Sequence, residues 1–529
     1  MNPNLIHNRV WIMLATLVVT SLACGLPALS SLLEGETIES VIDEAVARLD
    51  EAVSSSDERV PPVTPISPET TLHLTAVEGI ECTLFVAPNG SNDNSGDERQ
   101  PWETFEHAAE NAQPGDTVCF RDGTYPTEDT HIYRSGTPDA WITFSAYPGE
   151  HPILDGRGSA NEMLVFQANS AYIRVSGFTL QNFRIWGIFL TGNNHHIYLD
   201  HLDVIDGEAG IHFTYGESSE GPPAEGSVEY ITLEDSIFHG SEYVAVDCTP
   251  GPCNHMTISR VEIFGSGVLG ESFYGADGLE FARGHHVIVE DSFIHDNGGD
   301  GIDLGSRDRE GHMEGIIVRR NVVARNRCNG IKVWAGGRIE NNVIWGSGDS
   351  AIWAGTWHST VEIINNTVAY NMWDPAYALR NWAVVVGYPE ELAKPEVNLT
   401  MINNIIAFNA DPIEGGATGV YLGAGVQLTE GYNLYFSSLA GEITAYTSAG
   451  QEHWLSRQEI VDGTWSALFN QGEGDLVNDP LFISGWPEVD LRLQENSLAI
   501  NTGAADYAPD IDILANPRDS QPDIGAYEY

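Results

Sequence analysis

Between about residues 170 and 410 the chain repeats itself at short intervals, and a repeat of that size leaves few folds open. The template is a pair of alternating apolar positions, an Asp or Asn, further apolar residues and often an Asn. VIVEDSFIHDN (287–297), IIVRRNVVARN (316–326), VEIINNTVAYN (361–371) and LTMINNIIAFN (399–409) carry it clearly; IYLDHLDV (197–204), ITLEDSIF (231–238), MTISRVEIF (256–264) and RIENNVIW (338–345) are weaker copies. The position held by Asp291, Arg320, Asn341 and Asn365 recurs at intervals of 29, 21 and 24 residues. Short β-branched strands with Gly/Asn turns at such periods indicate a β-solenoid. Leucine-rich repeats have similar lengths but need a Leu-rich consensus that this chain lacks. The expected fold is therefore all-β, a right-handed parallel β-helix, with Asn at recurring turns stacked into hydrogen-bonded ladders inside the coil.

Equivalent positions on successive coils of such a solenoid stack about 4.8 Å apart. One strand per repeat has the form Gly-apolar-X-apolar or close to it: WGIFL, AGIHF, VAVDC, DGLEF, DGIDL, NGIKV and SAIWA. The apolar neighbours of X face the core, so X faces out. The X column is Phe189, His212, Asp247, Glu280, Asp303, Lys332 and Trp353, and a second column holds Asp277, Asp300 and Asn329. Asp277, Glu280, Asp300 and Asp303 thus converge within two coils, a costly arrangement without a cation, and hard Ca²⁺ accepts several carboxylate oxygens. Lys332, one coil further, is one of only two lysines in the chain, the other being Lys394. A solvated ion pair is the bland alternative for any single member of this set.

ADGLEF, then HDNGGDGIDLG, then NGIKVW resembles the core of the family-nine polysaccharide lyases, right-handed β-helix enzymes that cleave pectate and related uronates. The resemblance in detail covers about residues 275–335. It implies a pectate lyase-like solenoid in which Asp277, Asp300 and Asp303 bind calcium and Lys332 is the catalytic base. Where the family has paired aspartates before the Gly, this chain has Gly299-Asp300, so one ligand of the pattern is absent and Glu280 stands as its substitute.

The expected chemistry is β-elimination on a uronic-acid polymer. The C5 proton lies beside a carboxylate whose charge makes it a very weak acid; Ca²⁺ on that carboxylate offsets the charge. Lys332 acts as base only when neutral, so an alkaline optimum is expected. Nine of the 24 Lys/Arg lie between 283 and 338, which suits an acidic polysaccharide; Arg307, Arg309, His285 and Trp353 are the candidate substrate contacts. A glycoside hydrolase would use Asp300 and Asp303 as acid and base, leaving Lys332 without a role. A C5-epimerase shares the proton abstraction but lacks its usual YGFDPH-type stretch here. The alternative from another class is a non-catalytic carbohydrate-binding or adhesive cell-surface protein.

The rest of the chain places this body outside the cell. Residues 1–23 read as a signal peptide: His7 and Arg9 precede an apolar run, Trp11 to Ala23, too short to span a bilayer. Cys24 in SLACG is a lipidation candidate, although Ser21 stands where such signals usually have Leu. Residues 24–80 form a tether, with a helical period from Thr37 to Leu49 followed by a Pro-rich stretch. Residues 81–160 carry a strand–helix–strand cap and the first coils, 161–415 the solenoid with the site, and 416–529 the last coils and a module expected to close the end. Cys82 with Cys119 and Cys248 with Cys253 are disulfide candidates, with Cys328 left buried and free. The net charge of −52, from 24 Lys+Arg against 76 Asp+Glu, argues against nucleic acid and confines membrane contact to a lipid anchor. An exported monomer, secreted or on the cell surface, is expected.

Overall fold

Strands of three to seven residues, each flanked by a bend, cannot bury both faces by pairing with a sequence neighbour, so they pair with their equivalents one coil on. In the computed structural model this yields two thirteen-stranded sheets and one of twelve. The structure describes residues 77–529 apart from 214–225, 268–275, 306–312, 372–381, 388–395, 410–418, 438–442, 448–452, 465–466, 468–472 and 486–487. Each coil gives one strand to each sheet: Val287–Glu290, Phe293–His295 and Ile302–Leu304 are followed by Ile317–Arg319, Val322–Ala324 and Ile331–Val333. Neighbours along all three sheets are parallel until Ile443–Thr447 meets His453–Ser456 antiparallel. The fold is the right-handed parallel β-helix that the repeat implies. Inward residues such as Ile302, Leu304, Ile331 and Val333 are fully buried in one continuous apolar core. No helix among the described residues is long and apolar enough to cross a membrane.

The recurring position of Asp291, Arg320, Asn341 and Asn365 is where each coil bends. All four adopt the left-handed conformation, φ between 53° and 54°. Asn and Asp tolerate that region better than most residues. Their side chains are not the internal ladder; the ladder is built by the next residue. Asn321, Asn342, Asn366, Asn404 and Asn433 are fully buried, and the Nδ2 of each of the first four donates to Oδ1 of the next at 2.9–3.1 Å. A second ladder joins Asn297 to Asn326 and Asn371 to Asn409 at 2.9 Å. Buried amides are tolerable only when so satisfied.

The first ladder ends on an acid. Asn433 N donates to Asp475 Oδ1 at 2.9 Å, and burial together with Glu430 pushes the Asp475 carboxyl up to about 9. Folding therefore favours its protonated form. That contribution is complete below the ordinary carboxylate range and is lost as the pH climbs toward 9. Denaturant unfolding at about pH 5 and about pH 9 is expected to show lower stability at the higher value, and Asp475→Asn to flatten the difference. Equal pH dependence in the variant would refute this.

A seven-residue helix, Phe105–Asn111, follows the first strand; its N-cap Thr104 accepts from His107 N, and Phe105 packs on Phe120, Phe144 and Phe178. Cys82–Cys119 and Cys248–Cys253 are disulfides. Cys328 is buried but disulfide-bonded, not free. The signal segment, the tether and Cys24 lie outside the described residues.

The C-terminal segment both extends the last coil and returns along its side. Leu434 bridges to Leu476, extending the last coil, but the chain then runs back along the solenoid's flank. There Asn341 Nδ2 donates to Ile511 O, Asn365 Nδ2 to Asp523 O and Gly525 O, and Asn403 Nδ2 to Ala504 O. The left-handed turn places these amides outside the coil, where they hold the backbone of the returning segment.

Candidate active site

Strands Leu279–Phe281, Ile302–Leu304, Ile331–Val333 and Ile352–Ala354 lie side by side in one sheet. Pairing sets Phe189 beside His212, then Asp247, Glu280, Asp303, Lys332 and Trp353, one coil at a time. The glycine before each of the first three strands is there because the backbone passes close to its neighbours. A Cβ on Gly301 would meet Asn326 Nδ2 at 2.6 Å and Gly330 O at 2.7 Å. The Asp-Gly and Asn-Gly pairs thus put a polar side chain outside at the point where the chain presses against the inner ladder.

The second column forms its own hydrogen-bonded series. Asp300 N donates to Asp277 Oδ1 at 2.6 Å; Asn329 N and Nδ2 donate to Asp300 Oδ1 at 2.8 and 2.6 Å. Asp300 Oδ2 accepts from Lys332 Nζ at 3.1 Å, and Asp303 Oδ2 accepts from the same ammonium at 2.8 Å. Asp277, Asp300 and Asp303 each offer an oxygen within 4.8 Å of the others, a donor set suited to a hard cation. Glu280 stands in register beside Asp303, outside that triad but near enough to act on Asp277.

The column faces away from the core yet is not open to solvent, a correction to the simple inward–outward alternation. Asp300, Asp303 and Lys332 are 2–3 % exposed, Asp277 is 9 % exposed, and Trp353 is completely buried. Trp334 lies with its ring centroid 4.7 Å from Lys332 Nζ, packs edge-on against Trp353 and Trp357, and so helps to roof the site. Trp353 consequently offers no open face to a sugar in this conformation.

Charge at the site is tightly coupled. Burial, then Asp300, Asp303 and Glu280, hold the Asp277 carboxyl well above the usual range. Burial alone would lower the Lys332 ammonium, but Asp303, Asp300 and Asp277 outweigh it and hold the group above the ordinary lysine value. These carboxylates fit a divalent cation, because an ion among them would relieve the mutual repulsion that raises the Asp277 carboxyl.

The other candidates fall elsewhere. His285 precedes a strand of a different sheet and gathers with His255 and His286, not with the acids. Neighbours in sequence separate here because one coil visits three sheets. Arg307 and Arg309 lie outside the described residues. Arg319 and Arg320 pair with Glu290 and Asp291 of the preceding coil, which removes them from the basic set available to a ligand. Two features escaped the sequence reading: Asn329 as the donor that fixes Asp300, and a His212–Asp247 pair with Nδ1 2.6 Å from Oδ2, further steadied by Thr249 Oγ1. Their adjacency in the outward column was the available signal.

Comparison with known proteins agrees with the architecture. Residues 84–239 match the family described as Pel9A-like, right handed beta helix region, and residues 186–368 match the right handed beta helix region family. The uncharacterized protein YwoF of Bacillus subtilis (strain 168) is 24% identical over 356 residues, covering 56% of this chain and 75% of that protein. Pectate lyase PEL9 of Emericella nidulans is 39% identical over 74 residues, 14% of this chain and 18% of that enzyme. Among solved structures, pectate lyase Pel9A is 15% identical, with 85% of this chain and 97% of that chain covered at a TM-score of 0.35. The chain is a right-handed parallel β-helix protein that resembles the family-nine pectate lyases.

Proposed function

We propose that the chain is a calcium-dependent lyase that cleaves a uronic-acid polysaccharide by β-elimination. The observation that carries the reading is the pairing of Lys332 with Asp300 and Asp303 beside Asp277, on the outward face of adjacent coils. The Pel9A-like match and the short stretch shared with PEL9 support it.

Asp277, Asp300 and Asp303 would hold the calcium, whose charge neutralises a uronate carboxylate and steadies the negative charge that develops at C5. Lys332 takes the C5 proton; the C5–H electrons form a C4=C5 double bond, the C4–O bond breaks, and the leaving oxygen collects a proton. In the state described, Lys332 keeps its own proton, because three carboxylates face it. The acids that retain that proton are also the proposed ligands. Once their charge is met by another cation, their hold on the ammonium weakens and Lys332 becomes a usable base.

One observation favours a second reading, a non-catalytic carbohydrate-binding protein: Lys332 is buried and bonded to two acids, as a structural ion pair requires. The ultraviolet absorbance of C4–C5 unsaturated products separates the two. Polygalacturonate and a panel of other uronates, with Ca²⁺ or EDTA, are expected to give calcium-dependent absorbance that rises toward alkaline pH. No absorbance on any uronate would leave the binding reading in place.

A further inference from the structure

On another face of the solenoid, five rings stack across five coils: Tyr172, His196, Tyr230, His255 and His286, with successive centroids 4.4–4.8 Å apart. Each sits at a left-handed residue, φ between 53° and 58°, which turns its ring out of the coil in the same direction. Stacking alone explains this series. It does not explain His285, which lies outside the stack and edge-on to both His255 and His286, at 89° and 83°.

We infer that His255, His285 and His286 form a binding site for a borderline transition-metal ion such as Zn²⁺, Cu²⁺ or Ni²⁺, linking two successive coils. One nitrogen from each imidazole lies within 4.8 Å of the others, and the Nδ1 atoms of His285 and His286 are 2.9 Å apart. Two nitrogens each about 2.0–2.1 Å from a shared ion lie about 2.9–3.4 Å apart, according to the angle between the bonds. The closest pair therefore already has a chelating separation, and a small ring rotation brings in the third.

The backbone holds the rings in place before any ion arrives. His255 N donates to His285 O at 2.9 Å, His285 N to Asn254 Oδ1 at 3.1 Å, and His286 N to Glu314 O at 2.7 Å. His255 and His285 are half-buried and His286 is exposed, so the group is open to entering ions. Glu229 and Glu314 both act on His285 and give the pocket a negative field. Imidazole suits these ions, whereas carboxylates alone suit calcium, so this site and the acidic cluster differ in kind.

The chain supplies an internal control. His195 and His196 repeat the same contact, Nδ1 to Nδ1 at 2.9 Å, but the rings stacked on either side of His196 are Tyr172 and Tyr230, so among the described residues no third imidazole completes a ligand set.

The test uses untagged, metal-free, full-length protein with calcium in excess to occupy the acidic cluster. Calorimetric titration with Zn²⁺ is expected to show one saturable equivalent at the micromolar level or tighter. Affinity is expected to fall at least tenfold in His285→Gln and to stay unchanged in His195→Gln. Electron paramagnetic resonance of the unmutated protein with one equivalent of Cu²⁺ reads coordinated imidazole nitrogens directly, whatever the variants do to folding. Nitrogen couplings from more than one imidazole are expected. An absence of saturable Zn²⁺ binding, equal affinity in His285→Gln, or a Cu²⁺ signal without nitrogen coupling would overturn the assignment.

Discussion

Lys332→Ala is expected to destabilise the calcium-free protein by about 3–5 kcal/mol, the usual cost of removing one partner from a buried ion pair. The reason is the surroundings left behind. Asp300 and Asp303 are 2–3 % exposed, and their Oδ2 atoms are bonded to this ammonium at 3.1 and 2.8 Å. Without it they must take up protons or remain charged in a dry pocket. The same variant is expected to bind calcium more tightly than the unmutated chain, because the ammonium and the ion compete for the same oxygens. Added calcium should therefore restore part of the lost stability, in proportion to its concentration over the dissociation constant. Urea unfolding with EDTA and with calcium gives both quantities. Equal stability of the two proteins in EDTA would show that the acids do not depend on Lys332. Lyase activity is expected to vanish in the variant even at saturating calcium, which separates the base from its structural role.

The second large effect is counter-intuitive. Gly299→Asp restores the paired aspartates of the family-nine pattern, yet it is expected to weaken calcium binding and to cost about 1–3 kcal/mol of stability through overpacking. A Cβ on residue 299 would lie 2.2 Å from Asp277 Oδ1, 2.9 Å from the Ala276 carbonyl carbon and 3.1 Å from its oxygen. The Asp277 carboxylate could swing aside, but it accepts from Asp300 N and would abandon that bond. The Ala276 backbone has less freedom still, since Gly299 N donates to Ala276 O at 2.8 Å. Glycine at this position is thus not simply a lost ligand: it makes room for Asp277. Pairing Gly299→Asp with Asp277→Gly is expected to be less damaging than the sum of the two single changes, a coupling that a double-mutant cycle of unfolding free energies measures. Strict additivity would contradict the steric account.

Much of this was legible in the chain. Gly-apolar-X-apolar strands fixed which side chains share a column, and the strand pairing runs through Phe189, His212, Asp247, Glu280, Asp303, Lys332 and Trp353 in that order. Alternation tells inside from outside but is silent on what lies over the outside. The burial of Lys332 involves Trp334, whose position across the coil no period encodes. His285 lies apart from the acids for a related reason, since proximity along the chain does not decide which of three sheets a residue joins. The recurrent bend residue was read together with the ladder residue that follows it because both are often Asn; only the left-handed backbone at Asn341 and Asn365 separates an amide pointing out from Asn342 and Asn366 pointing in. The course of the C-terminal segment depends on partners more than a hundred residues away, such as Asn341 with Ile511, which local pattern does not reveal.

The run of buried amides has a direction. Asn321 hands its hydrogen to Asn342, Asn342 to Asn366, and so on to Asn433, always toward the C-terminal end. Asp475 Oδ1 receives the backbone N–H of Asn433, while the Asn433 Nδ2 turns away to Met401 O and Glu430 Oε1, so the side-chain relay stops at Asn433. A further turn of the helix stacked beyond it would meet a carboxyl where every earlier turn met a carboxamide. A repeat duplicated at this end would continue the amide relay only with an asparagine at the rung that Asp475 now holds.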